Sequence, residues 1–326
     1  MFALKTRYII SIKYEKEKRV KCDMAVYVVG DFLRETRLRK GYTQEEVSYG
    51  ICTPASLSRI ENGAQKPGRL ILEKLFERLG TENNLFNSFV SREEMELYSA
   101  IQELIRNVTD AEIDKIHKQI LIVEKLTENT SDLERQCLLF AKGELIKRKE
   151  KDYSTAIEWL MKAIHITLPD FDGENPLRNN LLTFDEIMII NGIAILHAKS
   201  GNVMTAIQLD MWLKEYIEDK IVDGTMKKAK YPMIIYNLSN WFGNKQCHTE
   251  ALKLADEGIN FCVKYGNLVI LPSLILNKGV ALAELGDIDD ARKYLHQAIT
   301  IFDVMKKEET IQSVLDWCKT RYNLEI

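Results

Sequence analysis

Proline is scarce, six in 326 residues, and strand-like alternation is scarcer, confined to Tyr8 to Ile12 and Ala25 to Val29. A sheet-rich fold is therefore excluded, and the long proline-free intervals suit helices. No apolar run reaches the roughly 18 uncharged residues that a bilayer crossing needs. The mean hydropathy is −0.20, so no membrane contact is expected. The opening Met1 to Lys21 has one short apolar piece, then charges, and no small-residue cleavage site. It does not read as a secretory signal, and the expected compartment is the cytoplasm. The six cysteines (Cys22, Cys52, Cys137, Cys247, Cys262 and Cys318) lie far apart, with no Cys-x-x-Cys pair and no histidine at metal spacing. That leaves reduced, mostly buried thiols rather than a disulfide framework or a zinc site. GxxxxGKS, GxGxxG, HExxH and GxSxG are all missing, and the five histidines are scattered over helical segments. No enzyme and no cofactor is expected. The tryptophans Trp159, Trp212, Trp241 and Trp317 fall in helical patterns and read as core.

What is present is a long, apolar, helical chain. At 46% hydrophobic over 326 residues, it is long enough for about two domains with a substantial core. Apolar residues recur at three and four places through most of it, which predicts an all-helical protein. The net charge of −3 conceals an asymmetry: residues 1–80 hold 16 Lys and Arg against 10 Asp and Glu, and the remainder 29 against 38. A basic front end on an acidic body fits a nucleic-acid reader joined to a separate sensing or assembly domain.

Start and stop signals from Asp31 onward define four short helices. The first runs from Asp31 to Lys40, turns Phe32 and Leu33 inward, and ends at Gly41. The second opens on Thr43-Gln44-Glu45-Glu46, in which Thr43 and Glu46 form a capping box, and ends near Gly50. The third has Thr53 as N-cap and Pro54 at its first position, and stops at Asn62-Gly63. The fourth follows Lys66-Pro67-Gly68 and buries Leu70, Ile71, Leu75 and Leu79. Two short helices across a tight Gly50-Ile51-Cys52 turn, flanked by supporting helices, describe a helix-turn-helix.

The period of the third helix assigns its faces. Leu57 and Ile60 point to the core with Val47 and Ile51, leaving Ala55, Ser56, Arg59 and Asn62 on the opposite side to enter a major groove. Arg59 can donate two hydrogen bonds to a guanine edge, and small Ala55 and Ser56 let the helix approach the bases. Gln44, at the start of the second helix, is placed for a phosphate. Thr53, Asn62, Lys66 and Arg69 complete the DNA-facing set.

LRETR, KGYTQEE and SLSRIENGAQKP resemble the Cro/C1 or XRE class of DNA-binding domains over about fifty residues. Arg37, Gly41, Thr43, Gln44, Gly50, Leu57, Ile60, Glu61, Gly63 and Pro67 stand at the matching intervals. The resemblance implies a lambda-repressor-like domain, a phosphate contact at Gln44, and an internal ion pair between Arg37 and Glu61. Residues 1–23 lie outside the pattern, as either a flexible basic arm or an extension from a start codon set too early.

Downstream, four segments share a layout anchored on Ala156, Ala206, Ala251 and Ala291. Twelve residues before the anchors stand Glu144, Ala194, Ser239 and Gly279, and seven after them Ala163, Leu213, Gly258 and Ala298. Small residues at such places let antiparallel helices cross closely, as in tetratricopeptide repeats. Glu144 departs from the pattern. The anchor spacings of 50, 45 and 40 exceed the usual 34, so the helices or loops are longer than in the ideal repeat. Such a stack leaves a concave groove lined by the first helix of each pair. Asn191, Asn237 and Asn277 fall on those helices. Their amides suit either clamping an extended peptide backbone or a packing hydrogen bond within the stack.

From Met24 onward the combination resembles the RRNPP regulators, carried by GYTQEEVSYGICTPASLSRIENGAQKP, IINGIAILHAKSG and IFDVMKKEETIQSVLD. The resemblance implies a homodimer whose repeat domain binds a short signalling peptide. It places peptide-binding asparagines at Asn191 and Asn237, with Asn277 where the family has glutamine. The expected organisation is an extension over 1–23, an XRE-type helix-turn-helix domain over 24–83, linker helices over 84–130, and a right-handed tetratricopeptide-like solenoid over 131–326. The expected function is a cytoplasmic, homodimeric transcription regulator that reads an inverted-repeat operator and responds to a quorum-sensing peptide. The alternative is an XRE-type repressor whose repeats bind a protein partner.

Overall fold

A computed structural model describes residues 20–81, 92–108, 111–127, 131–177, 181–220 and 224–322. Among these, every regular element is a helix. The chain divides into two compact units, up to Ser99 and from Ala100. Among the described residues no helix is long and apolar enough to cross a membrane. Cys52, Cys137, Cys247, Cys262 and Cys318 are free, and the last two and Cys137 are buried.

The first unit holds α1 (Val20–Arg39), α2 (Gln44–Ser48), α3 (Pro54–Glu61) and α4 (Arg69–Arg78). The division between the units falls within α5 (Arg92–Asn107). α2 begins as expected, with a complete capping box between Thr43 and Glu46. α3 has Thr53 accepting from the Ser56 amide and Pro54 in its first turn. Each such cap contributes about 1 kcal/mol. Leu33, Val47, Leu57, Ile60, Leu75, Phe76 and Leu79 form the core. Ile71 is only half-buried, and Phe76, packed on Phe32 at 5.8 Å between ring centroids, fills the place expected for it.

α1 starts at Val20 rather than Asp31, so Ala25 to Val29 is helical despite its alternating pattern. Packing explains the override. α1 lies against α3, and a Cβ on Gly30 would sit 2.2 Å from the Ile60 carbonyl oxygen and 2.8 Å from that of Glu61. Only a glycine lets the two backbones come this close. The apolar piece Tyr8 to Ile12 and all but the last four residues of the 1–23 segment lie outside the described residues.

The second unit begins with the rest of α5 and α6 (Ile113–Leu126), which packs on α7 (Asp132–Lys149). Helix pairs then follow: α7 with α8 (Tyr153–Ile164), α9 (Phe184–Lys199) with α10 (Val203–Asp219), α11 (Gly224–Asn244) with α12 (His248–Tyr265), and α13 (Leu271–Glu284) with α14 (Ile288–Val304). A closing α15 (Glu308–Tyr322) packs on α14. Each pair also packs on the next, which is how a solenoid of tetratricopeptide type buries a continuous core. All four anchor alanines are buried, and the residues twelve before and seven after each are buried too. Ser239 donates to the Ala251 carbonyl at 2.9 Å, tying one crossing directly to its anchor.

Glu144, the bulky exception in the first repeat, is buried and paired with Lys147. The close crossing there is made one residue earlier. A Cβ on Gly143 would meet the Leu160 side chain at 2.9 Å and the Ala156 carbonyl at 3.3 Å. The small residue is present, shifted by one position along the helix.

Candidate functional site

The outer face of α3 is built as its period requires. Ala55, Arg59 and Asn62 are exposed and Ser56 half-exposed, while Leu57 and Ile60 lie in the core. Arg59 is held rather than left loose: its Nε donates to Gln65 Oε1 at 3.1 Å and its NH2 group to Ser56 Oγ at 3.2 Å. Thr53 Oγ1 in turn bonds Ser56 Oγ at 3.0 Å. The guanidinium is thereby held at the surface, with the NH1 hydrogens and one NH2 hydrogen not used in these bonds. Gln65 was not among the expected residues. It follows the left-handed turn at Gly63 (φ 69°), where helical period gives no signal.

Arg37 and Glu61 form the internal ion pair that the resemblance implied, at 2.7 and 2.9 Å, both buried. Hydrogen bonding to Glu61 raises the Arg37 guanidinium above its ordinary value, against the opposing effect of burial. Gln44 donates to the same carboxylate at 2.7 Å, so one of its amide hydrogens serves this network. Asn62 bonds the Ser58 carbonyl at 2.9 Å. Lys66 is exposed. Arg69 is half-buried and lies 3.8 Å above the ring of Tyr98, on the first turns of α5. Behind the turn, buried Arg78 donates to the carbonyls of Val47 and Tyr49, which end α2. These contacts tie α4 to the end of α2, while the Gln44–Glu61 bond links α2 to α3.

In the repeat unit the expected asparagines divide. Asn191 on α9 and Asn237 on α11, 2% and 8% exposed, converge on Asp210 of α10. Asn191 Nδ2 stands 3.1 and 3.0 Å from the two carboxyl oxygens, and Asn237 Nδ2 3.3 Å from one. Burial pushes the Asp210 carboxyl up to about 8, against the lowering effect of the two amides. It is therefore largely protonated at neutral pH. Asn277 stands apart, donating to the Tyr236 carbonyl at 3.4 Å. It lines a cavity of about 730 Å³ between α11, α13 and α15, whose walls include Tyr236, Asn240, Val280, Trp317 and Arg321. Amides, an indole face and an apolar floor in one concavity suit an extended chain with both polar backbone and apolar side chains. Asn191 and Asn237 are not among its lining residues.

A helix-turn-helix domain profile matches residues 28–89, and the RNPP family C-terminal domain matches residues 175–323. An uncharacterized HTH-type transcriptional regulator of Bacillus subtilis, YqaF, is 38% identical over 63 residues, which are 19% of this chain and 83% of that protein. Among solved structures, Bacillus thuringiensis PlcR in complex with the peptide PapR7 and DNA superposes with a TM-score of 0.60 at 18% identity, over 88% of this chain and 98% of the other. The apo form of PlcR gives 0.57 at 18% identity, over 89% and 98%. At such identity the likeness is one of fold, and it extends through the helix-turn-helix and the repeats alike. With both domain matches in the order expected, the chain belongs to the RRNPP family of helix-turn-helix regulators and is a DNA-binding transcription regulator, not an enzyme.

Proposed function

We propose that the protein is a homodimeric, cytoplasmic regulator that reads an inverted-repeat operator and changes its DNA binding when its repeat unit takes up a short signalling peptide. Ala55, Ser56 and Arg59 face the bases, and Gln44, Thr53, Asn62, Lys66 and Arg69 hold the backbone. The observation that carries the DNA half is the fixed, exposed guanidinium of Arg59 between Ser56 and Gln65. Two-fold symmetry of the dimer is matched by two-fold symmetry of the site.

The peptide half is supported by the match to the RNPP C-terminal domain and by the cavity lined by Asn277. The PlcR structure that shares this fold is described with a bound peptide and DNA. In the proposed complex Asn277 meets the peptide backbone directly, and Asn191 and Asn237 exchange Asp210 for it. The peptide acts by favouring one placement of the DNA units in the dimer over another.

The test uses a peptide fraction from spent culture medium and the full chain bound to DNA from upstream of its own gene. Asn277→Ala is expected to abolish the effect of the fraction on DNA binding while leaving the thermal midpoint unchanged. An intact response in that variant removes the groove assignment.

A further inference from the structure

A cleft of about 580 Å³ opens beside the recognition helix, lined by Arg34 of α1, Thr43, Gln44 and Glu45 of α2, and Ser58 and Asn62 at the far end of α3. Two of these, Gln44 and Asn62, belong to the proposed backbone-contacting set. Arg34 does not, because the period of α1 alone gives no reason to single it out. From the structure we infer that Arg34 is a further DNA-contacting residue, holding a backbone phosphate next to the base pairs that α3 faces. The inference rests on the DNA-binding reading above and adds a residue to it.

Three observations carry it. First, the neighbouring cation is already used: Arg37, three residues on, gives its charge to Glu61 and a further bond to the Tyr42 carbonyl at 3.0 Å. Arg34 is exposed and makes no ion pair among the described residues, so its guanidinium is placed to meet an outside anion. Second, its position relative to α3 is fixed. Arg34 stands one helical turn after Gly30, whose contact with the Ile60 and Glu61 carbonyls locks α1 onto the end of the recognition helix. Third, the same cleft presents the Gln44 and Asn62 amides, each with one hydrogen left after its bond to Glu61 or to the Ser58 carbonyl, and the Ser58 hydroxyl, groups that bond phosphate oxygens. The acidic groups of the lining are Glu45 and Glu61: Glu61 is already paired with Arg37, which lines the cleft too, and Glu45 is exposed and so screened by salt. A planar guanidinium flanked by neutral donors is the arrangement that grips a phosphodiester.

The experiment is a fluorescence-anisotropy titration of the full chain at several salt concentrations on two duplexes. One is DNA from upstream of its own gene and the other is its scrambled sequence. Arg34→Gln is expected to weaken binding to both by the same factor and to reduce the slope of log K against log salt by about 0.9, one phosphate contact. Arg34→Lys, which keeps the charge, is expected to retain the wild-type slope, and the thermal midpoint of both variants stays at the wild-type value. A slope and affinity equal to wild type for Arg34→Gln overturn the inference, as does a loss confined to one duplex, which would make Arg34 a base reader. Wild-type protein that binds neither duplex in a salt-dependent way overturns the DNA-binding reading itself, before any variant is compared.

Discussion

Arg37 and Arg59 lie in the same small domain and do opposite work. Arg37 spends its guanidinium on buried Glu61, and Arg59 keeps its own on the surface, steadied by Ser56 and Gln65. Arg59→Ala should therefore cost about 1–3 kcal/mol on the preferred site and almost nothing on unrelated DNA. Paired titrations on operator and scrambled duplexes measure this, and an equal loss on both would move Arg59 to the phosphate-contacting class. At this scale the sequence was readable wherever a residue's role follows from helical period. The outward placement of Arg59, Ala55 and Ser56 was legible because Leu57 and Ile60 fix the buried side of α3. Gln65 was not, because it lies past the left-handed turn at Gly63. Arg34 was not, because only the folded cleft sets it beside Gln44 and Asn62.

Between elements, close backbone approach and buried polar groups decide the geometry. Gly30→Ala places a Cβ against two backbone carbonyls of α3 that have no side-chain freedom to give way. The expected cost is about 3 kcal/mol, the upper end of the overpacking range, read as a lowered urea midpoint with unchanged slope. A variant as stable as wild type would mean that α1 does not bear on α3 in this way. Asp210 makes a prediction in pH. Its carboxyl, ordinarily near 3.8, is raised to about 8 in the folded chain, so between these values the folded state holds a proton that the unfolded state has released. Stability then falls as pH rises across that window and levels off above it. Asp210→Asn should remove this component, flattening the thermal midpoint between pH 5 and 8; an unchanged profile would place the titration elsewhere. The helix pairs themselves were legible from the anchor alanines, since four alanines, most with small residues at the same offsets, mark four crossings. The start of α1 was not, because alternation over Ala25 to Val29 imitates a strand until packing on α3 is known. Nor was the meeting of Asn191 and Asn237 on Asp210, because a single acidic residue in a helical pattern looks like any solvated position.

For the whole molecule, the two-unit organisation and the order of its parts followed from composition and repeats: a basic, capped helix-turn-helix ahead of an acidic helical stack. The stack supplies a concave wall with Asn277 and Trp317, and the front unit an exposed recognition helix. The central claim is that one chain couples the two. Its most direct test is fluorescence anisotropy of the purified protein on DNA upstream of its own gene and on the scrambled sequence, at two salt concentrations, with and without the spent-medium peptide fraction. The account predicts tighter binding to the native segment, a preference that persists at the higher salt, and an affinity altered by the peptides. Equal, salt-sensitive binding to both duplexes, unmoved by the peptides, would contradict it.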